Sequence, residues 1–324
     1  MKLRYWVVLS VLAAFCIGLY SYSHWYGFNV LLRRGGTFWT DVKIDDPRLS
    51  ASMRLALRSP DLPVVAGELK WQVLAEGFET AELSVLANGL EVDRIMLNRI
   101  DPKLYSFSVL NAPKGNRGLA EWESALPTAT LIVNGSYFDR YGLPSTPFIS
   151  EGRFLGIKPY DAKAGAFVAD SENAAIVDLS GQMNWETAFK NAQNAMVSFP
   201  LLVGEDGQNH VHTASRWLAN RTFVAQDRQG RVLVGTTADA FFSIHRLGEF
   251  LRTSPLDIKV ALNLDGGPVA CQSVRIGNFH RHFIAKWELQ ADQTNNHIKL
   301  LTWPFGSRGS WAMGIVLTAT PKVK

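Results

Sequence analysis

The apolar run Val260-Ala261-Leu262-Asn263-Leu264 stops at Asp265-Gly266-Gly267-Pro268, and that stop limits the folds open to the chain. A run this short, with one polar residue and a turn containing Pro255 and Asp257 before it, reads as a buried strand. The two glycines permit positive φ or the close approach of another backbone, and Pro268 sets the direction of exit. An acidic side chain is thereby held at the end of a rigid strand. Such a position suits a catalytic carboxylate or an anion-binding loop. It equally suits an ordinary turn between strands, because Asp-Gly is a common turn pair.

A second stretch repeats the design. Residues 129–133 read as a buried strand, followed by Asn134-Gly135-Ser136-Tyr137-Phe138-Asp139. Period-two alternation recurs in residues 71–74, 82–86 and 105–110, and residues 222–226 and 232–236 flank the turn 227–230 as a hairpin. Residues 311–317 read as a closing strand. Helices are fewer: a short one over 50–57, one over 118–126, one capped by Asn184, and one capped by Ser243 and ended before Pro255. With strands in the majority, dispersed helices and no repeat, the expected fold is an α+β domain with a mixed, largely antiparallel sheet.

Lys2 and Arg4 precede residues 5–22, which carry no charge. This is the layout of a signal sequence or an N-terminal anchor whose basic end stays in the cytoplasm. Residues 21–23 only loosely resemble a small-x-small cleavage site, and Phe15 before Cys16 argues against lipoprotein processing, so a retained anchor is favoured over a cleaved secreted form. The expected layout is an anchor or signal over 1–23, a spacer over 24–66 and a single main domain over 67–324. The domain is expected on the far side of an inner membrane, periplasmic or extracellular.

The chain has 324 residues, 47% of them hydrophobic, and a net charge of +4 with its basic residues scattered. No Lys/Arg block tracks a phosphate backbone, so nucleic acid is excluded as the expected partner. Of the two cysteines, Cys16 lies in the apolar run and Cys271 reads as a small core residue. His210-Val211-His212 and His280-Arg281-His282 have the spacing of metal pairs, but both lie among polar loop residues and read as exposed. No cofactor is expected; a divalent metal has no further support.

Three segments in order, Asn134-Gly135-Ser136-Tyr137-Phe138, Arg221-Thr222 and Leu262-Asn263-Leu264-Asp265-Gly266-Gly267, resemble the signature segments of the phosphodiester glycosidase family. The family pattern is approximately Asn-Gly-Gly-Tyr-Phe, then Arg-Thr opening a strand, then Leu-Asn-Leu-Asp-Gly-Gly-Gly-Ser. Here Ser136 replaces a glycine, and Pro268-Val269 replace the Gly-Ser that often follows. The resemblance implies hydrolysis of sugar-1-phosphate diesters or phosphorylated glycans of the cell envelope. Such a reaction needs a cation or amides for the phosphate and carboxylates for proton transfer. The catalytic candidates are Asp265 and, second, Asp139 for acid/base work, with Arg221 for the phosphate through its two-pronged guanidinium and Asn134 for a hydroxyl or phosphate oxygen. Gly135, Tyr137, Phe138, Thr222, Asn263 and the Gly266 and Gly267 amides are candidate substrate contacts, although core packing is the plainer reading of Tyr137 and Phe138. The departure at Pro268-Val269 keeps open a second class: a non-catalytic glycan-binding or polysaccharide-assembly protein on the same fold.

The basic-then-apolar start predicts the topology. A reporter fused after Lys324 is expected to be active only in a form that works outside the cytoplasm; activity of a cytoplasm-only reporter would rule the layout out.

Overall fold

The structure is a computed structural model of the chain. It describes all residues except 1, 27–30, 33–37, 113–116, 140, 160–163, 182–183, 293–296, 303–309 and 323–324. An eight-stranded sheet forms the middle of the molecule, in the order Leu201–Val203, Ile258–Asn263, Thr222–Asp227, Val232–Thr237, Leu90–Ile100, Phe78–Ala87 and Val65–Ala66, with Gln72–Ala75 also paired to Phe78–Ala87. Its central strands are buried on both faces. Phe223 and Ala225 point to one side and Val224 to the other, as the period of two requires. On the first side lie the helices Ala51–Arg58 and Ile244–Thr253, bringing Met53, Ala56, Leu57, Leu247, Phe250 and Leu251 into one apolar cluster. On the second side two five-stranded sheets supply Phe107, Leu131, Val133, Phe167, Met196 and Leu317.

One of those two sheets runs Phe279–Phe283, Gln272–Ile276, Leu131–Asn134, Ile315–Pro321, Tyr105–Asn111. A fourth sheet, Leu31–Leu32, Phe38–Val42, Ile298–Thr302, Glu288–Ala291, Trp217–Ala219, leans on the helix side through Leu218, Leu289 and Leu300. All strand pairings among the described residues are antiparallel, so the mixed sheet expected from sequence resolves to an antiparallel one. Tight turns explain much of this. The hairpin of Thr222–Asp227 with Val232–Thr237 is closed by Asp227, whose carboxylate accepts from the Gln229 and Arg231 amides, and such turns join only antiparallel neighbours.

The helices follow their caps. Ser50 accepts from the Met53 amide, Asn184 from Thr187 and Ser243 from Arg246, each at the position that satisfies an otherwise open N–H. The closing strand starts later than expected, at Ile315, because Gly314 lies against the Phe138 ring.

The expected spacer over 24–66 is corrected from residue 38 onward. Phe38–Val42 is a full sheet member, with Trp39 opposite Leu301, and helix Ala51–Arg58 buries its Met53–Ala56–Leu57 stripe. The irregular sequence hid a strand that only its distant partner, Ile298–Thr302, completes. The Arg33–Arg34–Gly35–Gly36 stretch lies outside the described residues. Lys2–Tyr26 is helical, and its side chains from Tyr5 to Ser21 are exposed. Among the described residues no helix is long and apolar enough to cross a membrane.

Cross-strand packing sets one severe constraint. Phe223 stands opposite Gly235, and a Cβ at Gly235 would run into the Phe223 ring. Both residues are fully buried, so the ring has no room to retreat. Gly235→Ala is expected to destabilise the fold by about 1–3 kcal/mol through overpacking. Adding Phe223→Leu should recover part of that loss in denaturant unfolding; no recovery would place the strain elsewhere.

Candidate active site

Asp265 sits where the chain leaves one sheet for another. The strand Ile258–Asn263 ends in the large sheet, a 3-10 turn spans Gly267–Val269, and Gln272–Ile276 enters the sheet of Leu131–Asn134. The crossing is fastened at both ends. The Asp265 amide donates to the Gly135 carbonyl at 3.0 Å, and Asn134 Nδ2 donates to the Asp265 carbonyl at 2.7 Å. Asn134 Oδ1 in turn accepts from Thr222 Oγ1 at 2.8 Å. These bonds tie the ends of three strands from two sheets to one turn.

Gly267 has φ +65°, a left-handed conformation that favours glycine. It also faces a carboxylate: a Cβ there would stand 2.5 Å from Glu288 Oε2. Glu288 opens the strand Glu288–Ala291 and accepts from Trp217 Nε1 at 2.8 Å. Arg221 approaches from the other flank, with Nη1 3.8 Å from where a Gly266 Cβ would lie. Its Nε donates to the Phe242 carbonyl at 3.2 Å and its Nη2 to the Trp217 carbonyl at 2.7 Å. Two carboxyl groups and one guanidinium therefore surround the Gly266–Gly267 backbone.

Asn220 is the residue that joins them. It is fully buried; its carbonyl accepts from the Gly267 amide at 2.9 Å and its amide donates to the Trp287 carbonyl at 3.0 Å. Its side chain donates to the Thr237 carbonyl and accepts from the Trp287 amide at 3.0 Å. One asparagine thus positions the Asp265 turn, the Glu288 strand and its own neighbour Arg221.

The charges are costly to hold. Asp265 keeps some solvent access yet is crowded on most sides. Desolvation pushes its carboxyl up to about 7; the Gly266 amide and Arg221 oppose the rise, and Glu288 adds to it. Arg221 is 6% exposed, and burial lowers its pKa from the ordinary value against the opposing pull of Glu288, Tyr137 and Asp265. Burial also raises Tyr137, followed by the repulsion of Asp265.

Asn134, Arg221 and Asp265 are thus brought together, as the sequence predicts for the three motifs, but several expected roles change. Both polar ends of Asn134 serve the scaffold. The Gly266 amide is taken by Asp265 Oδ1 at 2.8 Å and the Gly267 amide by Asn220, so neither is left for an anion. Arg221 leaves only its Nη1 toward the Gly266–Gly267 turn, the other two nitrogens being anchored on carbonyls. Thr222 and Gly135 are framework. Asn263, 1% exposed, donates to Tyr137 Oη and the Leu264 carbonyl, while its Oδ1 is buried without a partner. Tyr137 stacks on Phe199 at 4.3 Å and donates to the Phe199 carbonyl, so it lies behind the turn. Phe138 packs in the core against Gly314.

Asp139 does not join this cluster. It is exposed and accepts from the Tyr141 and Leu143 amides, the usual use of an aspartate in a turn. Cys271 is buried and its thiol is pushed up to about 11, as a core residue's would be. His210 pairs with Asp206 and His282 with Glu123. No group of three metal-ligating side chains occurs among the described residues.

Sequence reading missed Glu288 and Asn220. Glu288 lies between Trp287 and Leu289 and reads as the solvent side of an alternating strand. Asn220 stands directly before Arg221-Thr222, and that adjacency is the only signal it gives.

Residues 127–280 match the phosphodiester glycosidase family. The matched segment contains Asn134, Arg221 and Asp265; Glu288 lies beyond it. No curated protein sequence matches the chain. A hypothetical protein from Synechocystis is similar in structure, with TM-score 0.51 and 15% identity over 79% of this chain and 64% of that one, which shows a shared fold. The catalytic domain of zebrafish N-acetylglucosamine-1-phosphodiester alpha-N-acetylglucosaminidase, auto-inhibited by its pro-peptide, aligns over 91% of both chains at 14% identity and TM-score 0.49.

Within the matched segment, Asp265 carries a stability cost with a definite sign. Its folded pKa, about 7, lies above the ordinary 3.8, so the folded state holds the proton more tightly. Stability is therefore full at low pH and is lost as pH rises from about 4 through about 7. Asp265→Asn keeps the turn and removes the charge. Its melting temperature is expected to equal the wild type's near pH 4 and to exceed it at pH 8; a lower value at pH 8 would contradict the raised pKa.

Proposed function

We propose that this protein is an extracytoplasmic hydrolase of sugar-1-phosphate diesters, acting on phosphorylated glycans of the cell envelope. The observation that carries the reading is the meeting of Asp265, Glu288 and Arg221 at the Gly266–Gly267 turn, within and beside a segment matching a family of phosphodiester glycosidases. The basic-then-apolar start of the chain supports the location, with a single N-terminal anchor or a cleaved signal.

The chemistry sorts the roles. When the bond between the anomeric carbon and the bridging oxygen breaks, the leaving group is a phosphate monoester, a stable anion that needs little protonation. The barrier lies in delivering water and in holding negative charge. Asp265 takes a proton from water as its oxygen bonds to the anomeric carbon, and the electron pair of the breaking bond departs with the phosphate. A carboxylate with a pKa of about 7 is matched to that task at neutral pH. Arg221 Nη1 meets the phosphate oxygen, its fork held rigid by the Phe242 and Trp217 carbonyls. Glu288 supplies negative charge opposite the developing positive charge on the sugar. Pro268 and Val269 form the buried turn behind Gly267, so the departure from Gly-Ser leaves the carboxylate's placement intact.

The test is turnover of a panel of chromogenic sugar-1-phosphodiesters. Asp265→Asn is expected to lower kcat by about 10²- to 10⁴-fold, the usual worth of a positioned base, and Glu288→Gln by about 10²- to 10³-fold through lost electrostatic stabilisation. In the wild type kcat/KM should rise with pH through about 7, because the base must be ionised. The bound phosphodiester anion disfavours a second negative charge, so the corresponding limb in kcat should lie at higher pH. A kcat/KM that falls through pH 7 would make Asp265 an acid instead. Glycan retention without turnover on any diester would favour a binding protein.

A further inference from the structure

A cleft of about 370 Å³ lies beside the proposed catalytic recess, and Arg216, Trp217, Gln290, Asp292, His297 and Lys299 are among the residues that line it. We infer that this cleft is a second subsite of the recess and takes an anionic sugar residue of the glycan, one bearing a carboxylate or a phosphate. The inference rests on the hydrolase reading for its place in the reaction, but the binding itself does not.

The cleft and the recess share one face of one sheet. Opposite residues on antiparallel strands point to the same side, as do residues two apart. Trp217 stands opposite Gln290, Gln290 opposite Lys299, and Ala219 opposite Glu288. Trp217, Glu288, Gln290 and Lys299 therefore project from the same side, while Leu218, Leu289 and Leu300 fill the core on the other. The side that aims Glu288 at Gly267 aims Gln290 and Lys299 at the cleft.

Trp217 is the hinge between the two places. Its indole donates to Glu288, its carbonyl accepts from Arg221, and its ring, 38% exposed, forms a wall of the cleft. Trp39 braces that ring edge-on at 6.2 Å. A fixed, partly exposed indole is a stacking platform for the apolar face of a sugar ring. The volume falls within the range of small-molecule pockets.

The charge points to an anion. Lys299 is half-buried and makes no ion pair among the described residues. Arg216 spends its Nη1 and Nη2 on the Asp292 and Leu57 carbonyls, which neutralise nothing, and its Nε is buried without a partner. His297 is paired with Asp41. Neither Arg216 nor Lys299 makes an ion pair among the described residues; Asp41, opposite Lys299, is bound by His297, and Asp292 also lines the cleft.

The experiment uses the full chain and follows tryptophan fluorescence while titrating tetragalacturonic acid, glucose 6-phosphate and the neutral maltotetraose. Saturable quenching by at least one anionic sugar, at least 10-fold tighter than by maltotetraose, is expected. Lys299→Gln should weaken it about 10-fold while leaving hydrolysis of a small chromogenic diester unchanged. The tetragalacturonic acid and glucose 6-phosphate arms decide between carboxylate and phosphate. Equal binding of neutral and anionic sugars, no binding of either, or binding indifferent to Lys299→Gln would overturn the inference. Anion binding with no diester turnover would instead overturn the hydrolase reading and leave the subsite standing.

Discussion

The buried Asn220 side chain and backbone make the bonds on which the site depends. They connect the turn after Asp265, the strand that begins at Glu288 and the neighbouring Arg221, three places far apart in the chain. A buried backbone amide or carbonyl left unpaired costs about 1–3 kcal/mol, so a node that satisfies five groups at once cannot be moved piecemeal. The rigidity of the site is inherited from this requirement. Gly267 can take its left-handed turn against Glu288 only because its amide has the Asn220 carbonyl to bond.

That rigidity is used against electrostatics. Two carboxyl groups share one largely buried guanidinium, and removing an ion from water costs several kcal/mol before its partners repay any of it. One proton resolves the imbalance. With Asp265 protonated, Arg221 and Glu288 can balance; with it ionised, the cluster carries an excess negative charge. A carboxyl pushed up to about 7 is the outcome of that competition. The same competition explains why the Arg221 nitrogens away from the recess are fixed on neutral carbonyls: such bonds hold the guanidinium without cancelling the charge it presents.

Much of this was legible in sequence because the three motifs end or begin buried strands, and buried strand ends are places where geometry is fixed by the sheet. The strand before Asp265, the hairpin after Arg221, the caps at Asn184 and Ser243, the short helix after Ser50 and the largely antiparallel character all follow from local pattern. What was hidden depends on partners distant in sequence. Phe38–Val42 is a strand because Ile298–Thr302 lies beside it, and nothing within residues 38–42 announces that partner. Glu288 becomes a site residue because Gly267 lacks a Cβ. Asp139 and the Gly266 and Gly267 amides are placed otherwise than expected for a different reason. Each has chemistry suited to a ligand, and each is taken by a hydrogen bond that sequence does not show: Asp139 by the Tyr141 and Leu143 amides, Gly266 by Asp265, and Gly267 by the distant Asn220 carbonyl.

The outer face of the Trp217–Ala219, Glu288–Ala291 and Ile298–Thr302 strands gives the site its direction. A hydrolase of long glycans, as proposed, would need room on at least one side of the reacting bond, and the tight turn at Gly266–Gly267 leaves little room of its own. Here the carboxylate farthest from the motifs sits at the start of a strand whose next outward residue, Gln290, already belongs to an open cleft. Because the opposite face is packed into the core through Leu218, Leu289 and Leu300, this sheet cannot tilt without breaking the cluster beneath it. The distance from Glu288 to the cleft is therefore fixed by strand geometry, about two residues of rise or roughly 7 Å. On the proposed reading, a sugar seated on Trp217 would be held in register with the bond to be broken by the same pleat that places the carboxylate.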